Sequence, residues 1–309
     1  MSCSYRLAVA SGKILSDEEL ALLRRSPRQE VGEAADDPER MAAVADRWAN
    51  RYAGVMVGLR TWVATIEAHL LDTSPEAAAA GLADEEQFLR MAPPPEPSND
   101  VDEIRRCAEG GDAEGALAAW DTLESGLRSQ HDWWVDRVSV LLSHVYRHHG
   151  VEGLTACLRR SGKDFLLPWM PFDIVHRPEH RLAVWVAVAK GNCGTVADIE
   201  EDDEKFAVTL DPCGSCGRQV AERPYPGPYD LATVEEAAPI TSGRTGMTVY
   251  RTHVAVIHHI LPLEQRGVPW PVIECPGPRA GGPCRFLLYK DPDDPAARDR
   301  LAAYNASAG

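Results

Sequence analysis

The most regular pattern of hydrophobic positions in the chain lies between residues 41 and 66. Apolar side chains recur there every three or four positions, with polar and small residues between them. This spacing places the apolar side chains on one face of an α-helix, so it predicts a long helix with one buried side. The stripe consists of Met41, Val44, Trp48, Tyr52, Val55, Leu59, Trp62 and Ile66.

Polar motifs predict where two neighbouring helices begin. Residues 16–19 read Ser-Asp-Glu-Glu, which is the pattern of a capping box, and Leu15 and Leu20 stand where a hydrophobic staple would flank it. Residues 74–76 read Ser-Pro-Glu, and proline is favoured at the first position of a helix. We therefore expect helices that start near residues 17 and 75.

A proline-rich stretch divides this first helical region from a second one. Residues at about 92–100 contain four prolines, which cannot continue a helix, so we expect an extended linker there. Helices are expected to resume near Val101, near Glu114 and from His131 to His149. Gly150 is expected to end the last of these, because glycine is the commonest residue just beyond a helix.

The pattern changes after about Lys163. Residues 167–171 are expected to form a turn-rich crossing, and residues 178–189 fit either a helix opened by Pro178 or a buried strand. Residues 195–200 and 205–210 are rich in β-branched and aromatic side chains and flank an acidic turn, which is typical of a β-hairpin. Residues 271–275 and 285–290 are further strand candidates.

These elements predict an α+β fold with two domains. A mainly helical domain would cover residues 1–163, and a smaller α+β domain with the hairpin would cover residues 164–309. Five of the eight cysteines fall in this second part, beyond residue 190.

Charge excludes several kinds of partner. The net charge of −15 disfavours nucleic acid and anionic membranes, both of which attract basic surfaces. The sequence has neither an apolar run long enough to span a bilayer nor the hydrophobic segment of a signal peptide near Met1. We therefore expect a soluble, cytoplasmic protein, as a monomer or a homodimer. In a reducing compartment its cysteines would be free thiols or metal ligands rather than disulfides.

Cys213 and Cys216 form a CxxC motif directly after the second arm of the predicted hairpin. Two residues between thiolates let both sulfurs reach one zinc ion at about 2.3 Å, and glycines at 214 and 217 permit the tight turn. A redox dithiol and ordinary buried thiols are the alternatives. A thioredoxin-like motif would start a helix, for which the sequence after Gly217 leaves little room.

A second pair of cysteines favours the metal. Cys275 and Cys284 bracket a loop, residues 276–283, that holds three glycines and three prolines and can fold back toward the CxxC motif. Four thiolates would then surround a zinc ion in a closed tetrahedral site. The predicted ligands are Cys213, Cys216, Cys275 and Cys284.

Residues 125–290 resemble an uncharacterised bacterial family. Its pattern is an acidic turn, Asp-Pro-Cys-Gly-Ser-Gly-Gly-Arg, then Tyr-Cys-x-His-Cys, and finally Pro-Cys-aromatic followed by Tyr-Lys. The matching segments here are 200–205, 209–218, 283–286 and 289–290. The resemblance implies a cysteine and histidine metal site.

The chain departs from that family pattern at the expected ligands. Arg251 and Val254 stand where the family has cysteines, whereas Cys216 replaces a family glycine and Cys275 has no family counterpart. Two thiols lost and two gained suggest that the ion is kept with relocated ligands. His253, which the pattern retains, is the substitute ligand if Cys275 points away.

Histidines near the cysteines are candidates for acid–base chemistry. His253 and His259, with His131 and Asp132 at the predicted helix start, are the candidate catalytic residues; bonded structural histidines are the alternative. The chain has no Walker loop, no GxGxxG and no GxSxG motif, which disfavours nucleotide-dependent and serine-hydrolase chemistry.

Two functions remain open at this point. The first is a zinc-binding enzyme, a lyase or hydrolase, that acts on a small organic substrate by hydrolysis, elimination or rearrangement in a pocket between the two parts. The second is a non-catalytic module that senses a ligand or redox state and has a structural zinc site made of four cysteines.

Overall fold

The computed structural model describes residues 12–73, 101–221, 225–279 and 281–307. Between residues 74 and 100 it describes only positions 76, 79, 83, 94 and 95. The predicted helix start at 74–76 and the predicted linker at about 92–100 therefore lie largely outside the described residues.

The N-terminal half is helical, as the hydrophobic pattern predicts. Ser16 accepts a hydrogen bond from the backbone of Glu19 and completes the predicted capping box. The stripe that begins at Met41 lies on the buried face of a 36-residue helix, which packs against a still longer one. These helices are α1 (Asp17–Arg24), α2 (Pro27–Gly32), α3 (Pro38–Thr73), α4 (Val101–Glu109) and α5 (Ala113–Ser161).

Helix α5 corrects the prediction of a helix start at His131. The helix runs unbroken from Ala113 to Gly150, so His131 and Asp132 lie in its middle and Asp132 does not cap it. Buried Trp120, Leu123 and Leu127 keep helical spacing with Val135, so one apolar face continues through the predicted boundary. The predicted break at Gly150 is confirmed, because its φ of +61° interrupts the helix, which then resumes as far as Ser161.

Short helical turns connect α5 to the sheet. The expected crossing at 167–171 is built from a π-helical turn (Gly162–Leu166), a 3₁₀ turn (Leu167–Trp169) and α6 (Met170–Asp173). Residues 178–191, which fitted either a helix or a strand, form helix α7 (Pro178–Gly191).

The C-terminal part contains a four-stranded antiparallel sheet of order β1-β2-β6-β5. The hairpin and both further strands are confirmed close to their predicted positions. The strands are β1 (Val196–Glu201), β2 (Lys205–Leu210), a small pair β3 (Thr233–Val234) and β4 (Met247–Thr248), then β5 (Val272–Glu274) and β6 (Cys284–Tyr289).

Helical segments lie between and after these strands. Helix α8 (Cys216–Ala221) follows β2, and a π-helical segment (Val254–Ile260) leads into α9 (Leu261–Arg266). Helix α10 (Pro295–Ala306) follows β6. Two 3₁₀ turns, Pro239–Thr241 and Val249–Arg251, complete the described elements. The predicted α+β class, helical first and with a small sheet afterwards, is confirmed.

The main hydrophobic core joins the helices to the sheet. It includes Trp62 of α3, Val138 of α5, Leu182 of α7 and Phe206 of β2, all buried. This core draws on both sides of residue 163, and the predicted domain boundary there stays a prediction. Among the described helices, none is both long and apolar enough to cross a membrane.

Candidate metal centre

Three of the four predicted ligands meet at the end of the sheet. Cys213 follows β2, Cys216 begins α8, and Cys284 begins β6, where it pairs in register with Leu210 of β2. Their three sulfur atoms lie within 4.8 Å of one another. Cys216 and Cys284 are buried and Cys213 is partly buried. This cluster can hold a metal ion.

The turn between Cys213 and Cys216 requires glycine. A Cβ atom on Gly214 would lie 1.7 Å from the carbonyl oxygen of Asn192 and 2.6 Å from the backbone nitrogen of Gly194. Thr195 also donates to the carbonyl of Pro212 at 3.1 Å. The CxxC turn is therefore pressed against the backbone that follows α7, and this contact fixes where its sulfurs point.

Cys275 lies beside the three clustered sulfurs. It follows β5 and is buried, and it neighbours Cys216 and Cys284 closely enough for both to affect the pKa of its thiol. Its sulfur is not among the three that lie mutually within 4.8 Å. The fourth predicted thiol is thus adjacent to the cluster, on the loop that connects β5 to β6.

The protons of the four thiols are unevenly distributed. Hydrogen bonds from Cys213, Cys275 and Cys284 hold the pKa of Cys216 well below its usual range, although burial opposes the charge. The three neighbouring sulfurs and burial raise the pKa of Cys284. These directions favour ionisation at Cys216 over ionisation at Cys284.

A buried arginine accompanies Cys216. Arg251 is 2% exposed and its guanidinium interacts with Cys216 and donates to the carbonyl of Gly277. Burial lowers the pKa of Arg251, but attraction to Cys216, Cys275 and Cys284 outweighs it and raises that pKa. A buried positive charge thus lies against the cysteine cluster.

His253 is close to the cysteines without joining the clustered sulfurs. Its Nδ1–H donates to the carbonyl oxygen of Tyr250 at 2.6 Å, which leaves Nε2 as the nitrogen with a lone pair. Burial lowers the pKa of His253, although the Cys216 thiolate acts in the opposite direction. The side chain is therefore neutral and has the tautomer that a metal ligand needs.

His258 and His259 are bonded to backbone groups of the segment that leads into β5. Nδ1–H of His258 donates to the carbonyl of Trp270 at 3.0 Å, and Nε2 of His259 accepts from the backbone of Ile273 at 3.0 Å. Burial, and then each one's histidine neighbour, lowers the pKa of both to about 3. Both are neutral at pH 7 and hold the chain in place; the acid–base role of His259 stays a prediction.

The structure brings His131 and Asp132 to the CxxC turn from the middle of α5. Oδ1 of Asp132 lies 3.1 Å from Nδ1 of His131, and Nε2 of His131 lies 3.4 Å from Oγ of Ser215. Arg218 donates to the other carboxylate oxygen of Asp132 at 2.7 Å. Burial opposes the charge of Asp132, but these hydrogen bonds lower its pKa.

Sequence reasoning misses three residues of this region and misjudges one element. Ser215 and Arg218 are hidden because their partners lie more than 80 positions away in the chain. In the sequence, Arg251 is noticed only because it is not a cysteine, and its role as a buried positive charge is missed.

The expectation of little room for a helix after the CxxC motif is wrong, because Cys216 begins α8. The buried residues of this helix are Cys216, Gly217, Arg218 and Gln219.

The comparisons with known proteins place the chain in no established group. No protein-family model matches it. Neither the curated proteins nor the solved structures contain a match to it. Any functional conclusion therefore rests on the cysteine cluster and its surroundings.

Proposed function

We propose that the cluster is a zinc site in which Cys213, Cys216 and Cys284 are joined by Cys275 as the fourth ligand. Thiolates are the soft ligands that zinc favours, and two sulfurs bound to one tetrahedral zinc ion are separated by about 3.8 Å. The three sulfurs lie within 4.8 Å of one another, which is compatible with that separation. Cys275, which neighbours Cys216 and Cys284, would complete the set.

The charge around the cluster fits this occupant. Four thiolates and one zinc ion carry a net charge of −2, which is costly to bury without a partner. Arg251 is buried against these sulfurs and offsets one of the two charges.

From this site we infer a non-catalytic ligand-binding module in which zinc is structural. The observation that carries this conclusion is the closeness of the three sulfurs, with Cys275 beside them. A full set of thiolates leaves zinc no open position for water or substrate. The metal would instead link the end of β2, the start of α8 and the β5–β6 loop through their cysteines.

Metal analysis of the whole purified protein tests this proposal. We expect one zinc per chain in the unaltered protein and in Cys107→Ser, whose thiol lies on α4 away from the cluster. Cys216→Ser should lose the metal, because Cys216 contacts all three other thiols.

The fourth ligand is decided by two further variants. Loss of zinc in Cys275→Ser but not in His253→Ala supports the closed thiolate set. The reverse result would place His253 on the metal, and an unaltered protein purified without zinc would refute the site altogether.

A catalytic function is the second candidate, and the chain of Asp132, His131 and Ser215 favours it. Such an arrangement lets His131 take the hydroxyl proton while Ser215 attacks an acyl carbon; the proton then passes to the leaving alcohol, and water releases the acyl group. Ser215 is partly exposed, so an ester can approach it. This hydrolase would use zinc only to hold the CxxC turn.

Hydrolysis of p-nitrophenyl acetate separates the two candidates. An enzyme should show turnover that falls at least a hundredfold in Ser215→Ala with its zinc retained, whereas the exposed Ser129→Ala should leave it unchanged. Equal rates in all three proteins would leave the non-catalytic module as the only candidate.

A further inference from the structure

A cavity of about 600 Å³ lies against the loop that carries Cys275. Residues 275–278 form one wall, and β6 and α10 contribute Arg285, Arg300 and Tyr304 to the others. Cavities of this volume are typical of sites for small organic molecules. It is separate from the histidines and from Ser215, none of which line it.

The charged residues that line this cavity are mostly positive. Arg244, Arg285 and Arg300 face a single acid, Glu274, so three positive charges against one negative leave an excess of two. The whole chain, in contrast, has a net charge of −15. A cationic concave site on so acidic a protein favours a ligand with negative charge, because the field of the lining attracts it.

The second cavity of the described residues provides a contrast. It has a similar volume, about 630 Å³, but its two arginines are matched by two acids. Arg147 pairs with Asp230 and Arg279 pairs with Glu235, each at 2.8 Å. The cavity beside Cys275 therefore differs from this one in the net charge of its lining residues.

One of the three guanidinium groups is held rigidly. Arg244 stacks on the ring of Tyr304 at 4.2 Å and donates to the carbonyl oxygens of Ser242 at 3.1 Å and of Tyr304 at 3.2 Å. These contacts fix its orientation before any ligand arrives, which reduces the entropy lost on binding.

The other two guanidinium groups have room to contact a ligand. Arg300 meets Glu274 through Nε at 2.5 Å, and its side chain is 43% exposed. Arg285 lies 3.6 Å from Glu200, and both side chains are substantially exposed. An exposed pair at this distance is weak and exchanges readily for a stronger anion.

We propose that this cavity binds a small dianion, a phosphate or a dicarboxylate, between Arg244, Arg285 and Arg300. Planar guanidinium groups bind both anions through pairs of parallel hydrogen bonds. This inference names the ligand class of the proposed module and rests on that proposed function only for the role of zinc. Zinc bound by Cys275 and Cys284 would hold both ends of the loop that contributes this wall, so loss of the metal should weaken anion binding.

Calorimetric titration of the zinc-loaded protein at constant ionic strength tests the inference. Inorganic phosphate and succinate are the probes, and succinamide, which has the size of succinate without its charges, is the neutral control. We expect saturable binding of at least one anion and none of succinamide. Whichever anion binds more tightly identifies the preferred group.

Matched arginine variants locate the binding. Arg300→Gln and, independently, Arg285→Gln should each weaken it about tenfold, the usual effect of removing one charged hydrogen bond. Arg298→Gln, two positions earlier on α10 and outside the cavity, makes the same change of charge and should alter affinity less than twofold. The second variant guards against misfolding of the first, since Arg300 is also the partner of Glu274.

The outcomes separate this inference from the zinc proposal. A zinc-loaded protein that binds neither anion, or binds it equally well in both cavity variants, overturns the anion site and leaves the metal site intact. A protein that lacks zinc and still binds anions through Arg285 and Arg300 keeps the anion site and overturns the role of the metal.

Discussion

Arg251 is the residue that most changes the charge balance of the cysteine cluster. A cysteine at this position would bring a further negative charge toward a metal, whereas the guanidinium brings a positive one into contact with Cys216. Its burial makes the attraction strong, because little water screens it. Arg251 therefore acts as a counter-charge for bound thiolates.

Replacing this charge should weaken metal binding without removing a ligand. In Arg251→Met we expect the zinc dissociation constant to rise roughly ten- to a hundredfold, as loss of a charged hydrogen bond of about 1.5–3 kcal/mol implies. Arg251→Lys should recover part of the loss. Competition with a chelating dye at fixed pH measures all three affinities. Equal affinities would mean that the guanidinium serves only the carbonyl of Gly277.

At this scale the sequence identifies ligands better than it identifies their surroundings. The CxxC spacing is sufficient to predict that Cys213 and Cys216 lie together, because the two are separated by one short turn. Cys284 is predicted from its place after a glycine- and proline-rich loop. The contact between Ser215 and His131 depends on how α5 crosses the CxxC turn, and no local pattern encodes that crossing.

At the scale of elements, regular patterns predict the structure correctly and mixed signals do not. The stripe of α3 and the two arms of the hairpin each have one clear period, and both elements form as predicted. At His131 an acidic residue that resembles a cap stands inside a continuing apolar stripe. Burial of that stripe outweighs a cap of about 1 kcal/mol, so α5 continues.

A buried ion pair fixes the hairpin to the neighbouring strand. Nζ of Lys290, just after β6, lies 2.7 Å from Oε1 of Glu201, and both side chains are almost completely buried. Burial raises the pKa of Glu201, but hydrogen bonds from Lys290 and two backbone amides lower it further than burial raises it. The pair therefore has a structural role in the sheet.

Breaking the pair of Lys290 and Glu201 should lower the free energy of unfolding far more than breaking the more exposed pair of Lys205 and Asp202. We expect Lys290→Met to lower the free energy of unfolding by about 3–5 kcal/mol, because it leaves a buried carboxylate without its partner. Lys205→Met, which removes a more exposed pair with Asp202 from the same hairpin, should cost less than about 1 kcal/mol. Urea unfolding followed by circular dichroism compares the two, and similar losses would contradict this account.

Across the whole molecule, the metal centre and the core are continuous. Cys216 belongs to the main hydrophobic core, and Cys275 and Cys284 pack with Val254 and Ile273 in a smaller cluster beside it. The helices and the sheet therefore share one core, and the cysteines pack within it and beside it.

The buried pair of Glu201 and Lys290 also has a consequence for synthesis of the chain. Glu201 accepts hydrogen bonds from the backbone of Ile14 and Leu15, and Lys290 donates to the carbonyl of Gly12, 278 positions away. A ribosome makes the earlier partners first and the later ones only near the end of translation. Residues 12–15 therefore have neither of these partners while the α-helical half is synthesised. Their contacts with Glu201 and Lys290 can form only late in synthesis.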